Sequence, residues 1–530
     1  MRIRKRIFHF SFLFLVFCIS VSAQPLVINW QSCFGGSEYD EGIKILKENN
    51  GYLLFSDTYS IDGQVTGNHG ETDIWVVRTD TVGNVQWSKT YGGSDYDYLT
   101  QAMPLSDGSF IMAGYSLSNN GTVSGNHGGS DYWVVKIDSL GTIIWQKCHG
   151  GSANDNCEAM DMTSDSGFIC NGWSYSNDGD VSGNHGLYDF WVARLFKNGN
   201  LKWENSFGGT WADYGEAVVS TGDGGSILAG GSGSTDGDVL CTYHGGVNDF
   251  WVVKLDSLGS LEWQQCYGGS QHDFANLVQP LPAGGYLIAG NTQSNDLQVS
   301  GNHGMQDFWV IRIDQSGVLL NQKCFGGSND ESPHVLKALS DGNFLIAGRT
   351  LSNDGDVSGN HGWGDIWIIK ISPDLDLLWQ QCVGGEGDEN ISDLIEINPG
   401  QYVAIGSTSS TLFSSGNVRC SGWGVQDVWV FSLTDSTVVG TTNKTIEPKI
   451  LSVYPDPADD EVSFEYKLPG ILPGTFLEIF TETGKCIESI PINERSGKVT
   501  LNSSRIPSGL YFYMLNFPGN PASGKFVIMH

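Results

Sequence analysis

The chain is 530 residues long and acidic, with 59 Asp and Glu against 28 Lys and Arg and a formal net charge of −31. A surface of that sign repels phosphate backbones, so nucleic acid is excluded as an expected partner.

The chain opens on Arg2, Arg4, Lys5 and Arg6, continues through a mostly apolar stretch over residues 7–21, and reaches Val21-Ser22-Ala23 before Gln24. This is the layout of a secretory signal peptide over residues 1–23, cleaved between Ala23 and Gln24. The apolar stretch is short for a bilayer span. No later segment is apolar enough for one, so the mature chain is expected to lack a transmembrane segment. Removing the leader deletes four positive charges and takes the formal charge from −31 to about −35, a value that keeps an exported protein dispersed.

A long repeat follows. In full form it reads S-N-D-G-D-V-S-G-N-H-G-x-x-D-φ-W-V-V-K-φ-D-x-x-G-x-φ-x-W-x-x-C-φ-G-G-S, with φ apolar. Its Asp-x-Trp element starts at Asp73, Asp131, Asp189, Asp249, Asp307, Asp365 and Asp427, and its Gly-Gly element at Gly35, Gly92, Gly150, Gly208, Gly268, Gly326 and Gly384. A period of 57 to 62 residues means one supersecondary unit that must stack on its neighbours to bury its apolar faces. One copy supplies strands over 98–105, 109–116, 131–138 and 142–148, with turn chemistry at Ser106-Asp107-Gly108 and Ser139-Leu140-Gly141. Four short antiparallel strands per unit match a propeller blade. The repeat region begins with a lone fourth strand, 26–33, and ends on a third strand, 427–433. These two ends complement one another and predict seven blades, the last built from both termini.

The run Ile137 to Trp145, I-D-S-L-G-T-I-I-W, and its counterparts Asp80/Gly83/Trp87 and Asp256/Gly259/Trp263 resemble the tryptophan-docking motif of quinoprotein-type propellers. The resemblance implies architecture alone. Enzymes of that class carry adjacent cysteines over their quinone, and this chain has no Cys-Cys pair.

The tail lacks the repeat. Its pieces are Val453-Tyr454-Pro455-Asp456-Pro457-Ala458 with Asp460, Phe480 to Lys485, Ser508-Gly509-Leu510-Tyr511 and Gly524-Lys525-Phe526-Val527. These resemble the type A C-terminal sorting domain of the type IX secretion system of Bacteroidetes, in which Asn usually stands at the position of Asp456. The resemblance implies an immunoglobulin-like β-sandwich and handling by the type IX machinery. It also implies removal of the tail, then release or attachment at the outer-membrane surface. The expected layout is a signal peptide (1–23), a seven-bladed β-propeller (24–435), a linker (436–448) and the sorting domain (449–530), all-β throughout.

Export permits disulfides, but the cysteine spacing argues against them. Cys33, Cys148, Cys266, Cys324 and Cys382 share one repeat position, and equivalent sites on stacked sheets lie about 10 Å apart, beyond disulfide reach. They are expected as small buried hydrophobes. The turn near Asp165 does not put Cys157 opposite Cys170, and Cys241, Cys420 and Cys486 have no evident partner.

Three sets of residues are candidates for function. His69, His127, His185, His303 and His361 each precede a strand Asp (Asp73, Asp131, Asp189, Asp307 and Asp365) by four residues. One His and one Asp per blade are too few ligands for zinc and suit a structural tie of loop to sheet. Asp178, Asp180, Asp354 and Asp356 in Asn-Asp-Gly-Asp loops offer oxygen to a hard cation such as calcium, the one cofactor the sequence suggests. The loop aromatics Trp211, Trp363 and Trp423 break the repeat and suit stacking on a sugar or a protein ligand. A carboxylate pair such as Asp213 and Glu216 could serve glycoside hydrolysis, but no nucleophile elbow, His-Glu-x-x-His or phosphate loop is present. The sequence therefore points to a secreted or surface-displayed, non-catalytic binding or adhesion module for a glycan or protein ligand. An extracellular glycan hydrolase or lyase is the alternative, and a surface-layer component a third reading.

Overall fold

The computed structural model describes residues 25–410, 416–420, 422–437, 451–454, 458–467, 476–481, 485–492, 494, 496–504, 506–516 and 522–530. The signal cleavage site at Ala23 and Gln24 and the motif residues Pro455, Asp456 and Pro457 lie outside them. Contacts divide the chain into two compact units, Met1–Val439 and Gly440–His530. No helix among the described residues is long and apolar enough to cross a membrane.

The first unit is a seven-bladed β-propeller of four-stranded antiparallel sheets. In the second blade the strands are Asp97–Pro104, Phe110–Ser116, Asp131–Ile137 and Ile143–His149. The two middle strands are buried along nearly their whole length, because a neighbouring blade covers each face. The third-strand tryptophans, Trp75, Trp133, Trp191, Trp251, Trp309, Trp367 and Trp429, are among the largest fully buried side chains. Seven apolar clusters fill the gaps between successive blades. A docked indole braces several of these joints. A Cβ on Gly199 would lie 2.5 Å from the ring of Trp145 in the preceding blade, and Tyr91 Oη donates across a joint to Gly141 O at 2.6 Å.

The ring closes as the repeat ends require. Leu26–Phe34 pairs antiparallel with Asp427–Asp435, which pairs with Gln401–Thr408, which pairs with Glu389–Asn398. The cluster of Ile45, Leu54, Trp75 and Val77 with Val403, Ile405, Val428 and Val430 joins this last blade to the first. The ring is closed without a seam, and each blade keeps only a short outer edge strand.

Two disulfides correct the expectation from spacing. Cys33 bonds Cys420 and Cys241 bonds Cys266. The distance between equivalent cysteines on stacked sheets holds, and Cys148, Cys324 and Cys382 are free and buried. What it leaves out is the loop between the second and third strands, which folds back over the fourth strand of its own blade. In two blades that loop carries a cysteine. Cys157 and Cys170 are free; their nearest register partners are Gly172 and Met160.

The second unit pairs a three-stranded sheet, with Leu451–Tyr454, Glu461–Lys467 and Ser496–Asn502, against a four-stranded sheet with Phe476–Thr481, Cys486–Pro491, Gly509–Asn516 and Ala522–Ile528. One core, including Phe464, Leu477, Ile479, Leu515 and Phe526, lies between them. This is an immunoglobulin-like sandwich.

Candidate functional site

Each repeat carries one carboxylate network where the chain passes from blade to blade. The Asp that starts a first strand accepts from the second glycine of the Gly-Gly turn: Gly93 N to Asp97 at 2.6 Å, Gly151 N to Asp155 at 2.6 Å and Gly209 N to Asp213 at 2.8 Å. Hydroxyls from the end of the second strand join it, Ser116 and Ser118 on Asp97 and Ser232 and Ser234 on Asp213. Asp213 is fully buried, and both of its carboxylate oxygens are taken by these bonds.

The third-strand Asp accepts from both the backbone N–H and the imidazole Nδ1 of the repeat histidine. The Nδ1 distances are 2.6 Å for His69–Asp73, His127–Asp131 and His361–Asp365, and 2.7 Å for His185–Asp189 and His303–Asp307. In the last copy the Trp423 N–H takes over the backbone bond to Asp427, which frees the indole to face outward. Burial, offset by the histidine bonds, raises the carboxyl of Asp131 to about 6, and that of Asp365 likewise. These groups tie loop to sheet.

The acidic loops are used locally. Asp178 accepts from Ser152 N and Oγ at 2.7 and 2.8 Å, Asp354 from Ser328 N at 2.7 Å, and Asp180 from His149 Nδ1 at 3.2 Å. Asp356 Oδ2 lies 3.9 Å from His303 Nε2 of the preceding blade. Among the described residues no group of three or more His, Cys, Asp or Glu is placed to hold a metal ion.

The loop tryptophans all lie on the face where first strands begin. Trp363 is 79 % exposed, Trp211 62 % and Trp423 53 %. Residues equivalent to Trp363 in other blades, Leu187, Val247, Met305 and Val425, are exposed as well, so the loop tips on this face carry a broken apolar ring.

Inside that ring lies the channel, a cavity of about 540 Å³ walled by the first strands of all seven blades. Each first strand breaks register after its third residue, and that of the seventh blade breaks again between Glu396 and Asn398. Such a bulge re-aims the extra side chain. The seven re-aimed residues are Ile43, Thr100, Glu158, Glu216, Asn276, His334 and Ser392, and all seven line the cavity. Two residues nearer the mouth, the positions of Glu41 and Asn390 are held in other blades by Tyr98, Tyr214 and Phe274.

These rings belong to an aromatic arc over the second to fifth blades. Tyr98 packs on Tyr115 at 5.1 Å, Trp173 on Tyr188 at 4.8 Å, Tyr188 on Tyr214 at 5.4 Å and Tyr214 on Phe274 at 6.3 Å. Trp173 Nε1 donates to Glu158 Oε1 at 3.1 Å. Burial, opposed by that bond, pushes Glu158 up to about 7. Burial and then the charge of Glu158 push Glu216 well above the usual carboxylate range.

Sequence reasoning did not place Trp173, Glu158 or the tyrosines at a site. The first strand keeps only its opening Asp or Glu in every copy and varies at each of the next four positions, so nothing in the repeat set these residues apart.

In the tail, Tyr454, Gly509, Tyr511 and Lys525 of the sorting motif are described. Tyr511 Oη donates to Pro507 O at 2.8 Å, a bond from an early strand position to the backbone four residues upstream that pins the corner of a sandwich. Lys525 is exposed.

Residues 452–529 match the family described as the secretion system C-terminal sorting domain. The chain is therefore a propeller protein carrying a type IX sorting domain, exported for secretion or surface attachment. No curated protein matches it. Among solved structures, puromycin hydrolase is similar at 10 % identity and a TM-score of 0.43, over 91 % of this chain and 59 % of that one. Drosophila Plexin A in complex with Semaphorin 1b is similar at 9 % and 0.39, over 78 % and 88 %. The GH93 α-L-arabinofuranosidase of Fusarium graminearum is similar at 10 % and 0.38, over 66 % and 97 %. Likenesses this distant carry no information on activity.

Proposed function

We propose that the propeller is a non-catalytic binding module that takes a glycan at the mouth of its channel, and that the tail delivers it to the cell surface or the medium. The observation that carries this reading is the asymmetry of the mouth. Aromatic rings crowd the second to fifth blades and polar groups hold the rest. Ring faces stack on sugars and shed water from them, while the unbonded Oδ1 of Asn276 in the channel wall would accept from a hydroxyl. Trp211, Trp363 and Trp423 on the same face would extend the contact to a longer chain. Cleavage of the leader after Ala23 and of the tail would complete maturation, and the acidic loops would hold calcium only as a weak, accessory ligand.

Binding of the purified protein to a glycan array tests this. Trp173→Ala and Tyr214→Ala should each weaken the captured glycan at least tenfold, whereas Trp363→Ala and Trp423→Ala should weaken long chains more than short ones. Turnover of a bound polysaccharide would instead establish the hydrolase or lyase reading.

A further inference from the structure

The charges along the channel are unevenly settled. On one side Asp393 meets Lys337 at 2.9 Å and Lys44 at 3.9 Å, and Arg349 pairs with Asp388. On the other side Glu158 and Glu216, from adjacent blades, line the cavity. Among the described residues no Lys, Arg or His lies within ion-pair distance of either carboxylate; Glu158 has only the Trp173 indole N–H. Glu41 in the first blade also lines the cavity without an ion-pair partner. Each is half-buried in the channel wall, and a carboxylate partly withdrawn from water without a counter-ion is costly to keep ionised.

The groups beside these carboxylates are aromatic. Trp173 holds Glu158 by its indole and packs against Tyr214 at 6.2 Å, and Tyr214 precedes Glu216 by two residues on one strand. Aromatic faces next to unpaired carboxylates attract organic cations twice, through the ring quadrupole and through the charge. A neutral sugar would use the rings and offer the acids hydroxyl hydrogen bonds, but would leave their charge uncompensated. A bare alkylammonium would use both but would leave the amide oxygen of Asn276 unanswered, whereas the Thr100 hydroxyl and the Asn390 amide oxygen are already bonded, to Ala113 O and Cys157 O and by Ile391 N. Asn276, one blade beyond Glu216, keeps its Oδ1 buried and unbonded.

Resting on the binding reading above, we propose that the ligand is an amino sugar, whose ammonium group is taken by Glu158 and Glu216 while its ring stacks on the Trp173–Tyr214 arc. Both carboxylates then act as counter-ions, and nothing in the step requires bond breaking.

Calorimetry on the full chain with glucosamine tetrasaccharide, its fully N-acetylated counterpart and a tetralysine peptide tests the assignment. The deacetylated sugar should bind at least tenfold more tightly than the acetylated one. The isosteric Glu158→Gln/Glu216→Gln variant, checked for a cooperative melt no lower than that of the parent chain, should lose that preference. Trp173→Ala should weaken both sugars. Equal affinity for the two sugars, or a preference that survives the double Gln variant, would overturn the amino-sugar assignment and leave the glycan reading standing. Tighter binding of tetralysine than of either sugar would replace the sugar by a basic peptide. Failure of every probe together with a blank glycan array would remove the binding reading itself.

Discussion

Cys33, in the first strand of the propeller, is bonded to Cys420, in the last second-to-third-strand loop, across 387 residues of sequence. The bond lies within the seventh blade, where the strand from the N-terminal end is hydrogen-bonded to the strand from the C-terminal end. It therefore fastens the one joint of the ring that no short connection holds. Cross-linking so distant a pair removes much of the freedom of the unfolded chain. Cys33→Ser should lower stability by about 2–5 kcal/mol, seen as a lower denaturant midpoint, and early proteolysis should release the N-terminal strand. The Cys241–Cys266 bond closes only 25 residues within one blade, so Cys241→Ser should cost less. Equal losses for the two variants would show that ring closure gains nothing special from its disulfide.

The channel carboxyls predict a pH dependence. Glu158 is raised to about 7 by burial, against about 4.3 in an unfolded chain. Between those values the folded state holds more protons than the unfolded one, so this group favours the fold below about pH 4 and its contribution fades as pH rises through 7. Glu216 is shifted in the same direction. Glu158→Gln removes the penalty and should stabilise the propeller by about 1–3 kcal/mol at pH 8, with little effect at pH 4. Thermal melts of both forms from pH 4 to pH 8 measure it. A constant difference across that range would mean that Glu158 ionises in the fold as it does in water.

The Gly-Gly turn makes a steric prediction. A Cβ on Gly150 would lie 2.7 Å from Asp131 Oδ1 and 2.7 Å from Asp155 Oδ2, two buried carboxylates that serve the second and third blades. Neither can retreat without giving up bonds, from His127 in one case and from Gly151, Ser174 and Ser176 in the other. Gly150→Ala should therefore cost about 1–3 kcal/mol. At Gly222, where nothing lies within 4 Å, the same change should be close to neutral. Comparable denaturation midpoints for the two variants would contradict the crowding.

The repeat made the ring legible because blade packing needs the same side chain at the same place seven times. The period, the docked indoles, the His–Asp ties and the split seventh blade all follow from positions that recur. The channel mouth was hidden for the opposite reason. Tyr98, Glu158, Tyr214 and Glu216 sit where the copies differ, and only the closed ring brings neighbouring first strands side by side around one axis. The disulfides were missed because pairing depends on how far a loop folds back over its own blade, a distance that strand spacing does not contain.

The tail offers a test of how its motif works. Tyr511 is 6 % exposed, and its hydroxyl bonds Pro507 O just before the Ser508-Gly509 corner. A net hydrogen bond of this kind is worth about 1 kcal/mol, and removing it also leaves a carbonyl to find another donor. In a unit of this size such a loss shifts melting by about 4–8 °C. Tyr511→Phe should lower the tail's own transition by that amount and leave the propeller transition unmoved, because the two form separate compact units. If the sorting machinery reads the folded corner, export of the variant should fall in step with the melting temperature as cells are warmed. Normal export with a lowered transition would show that the machinery reads the exposed segments around Tyr454 and Lys525 and is indifferent to the corner.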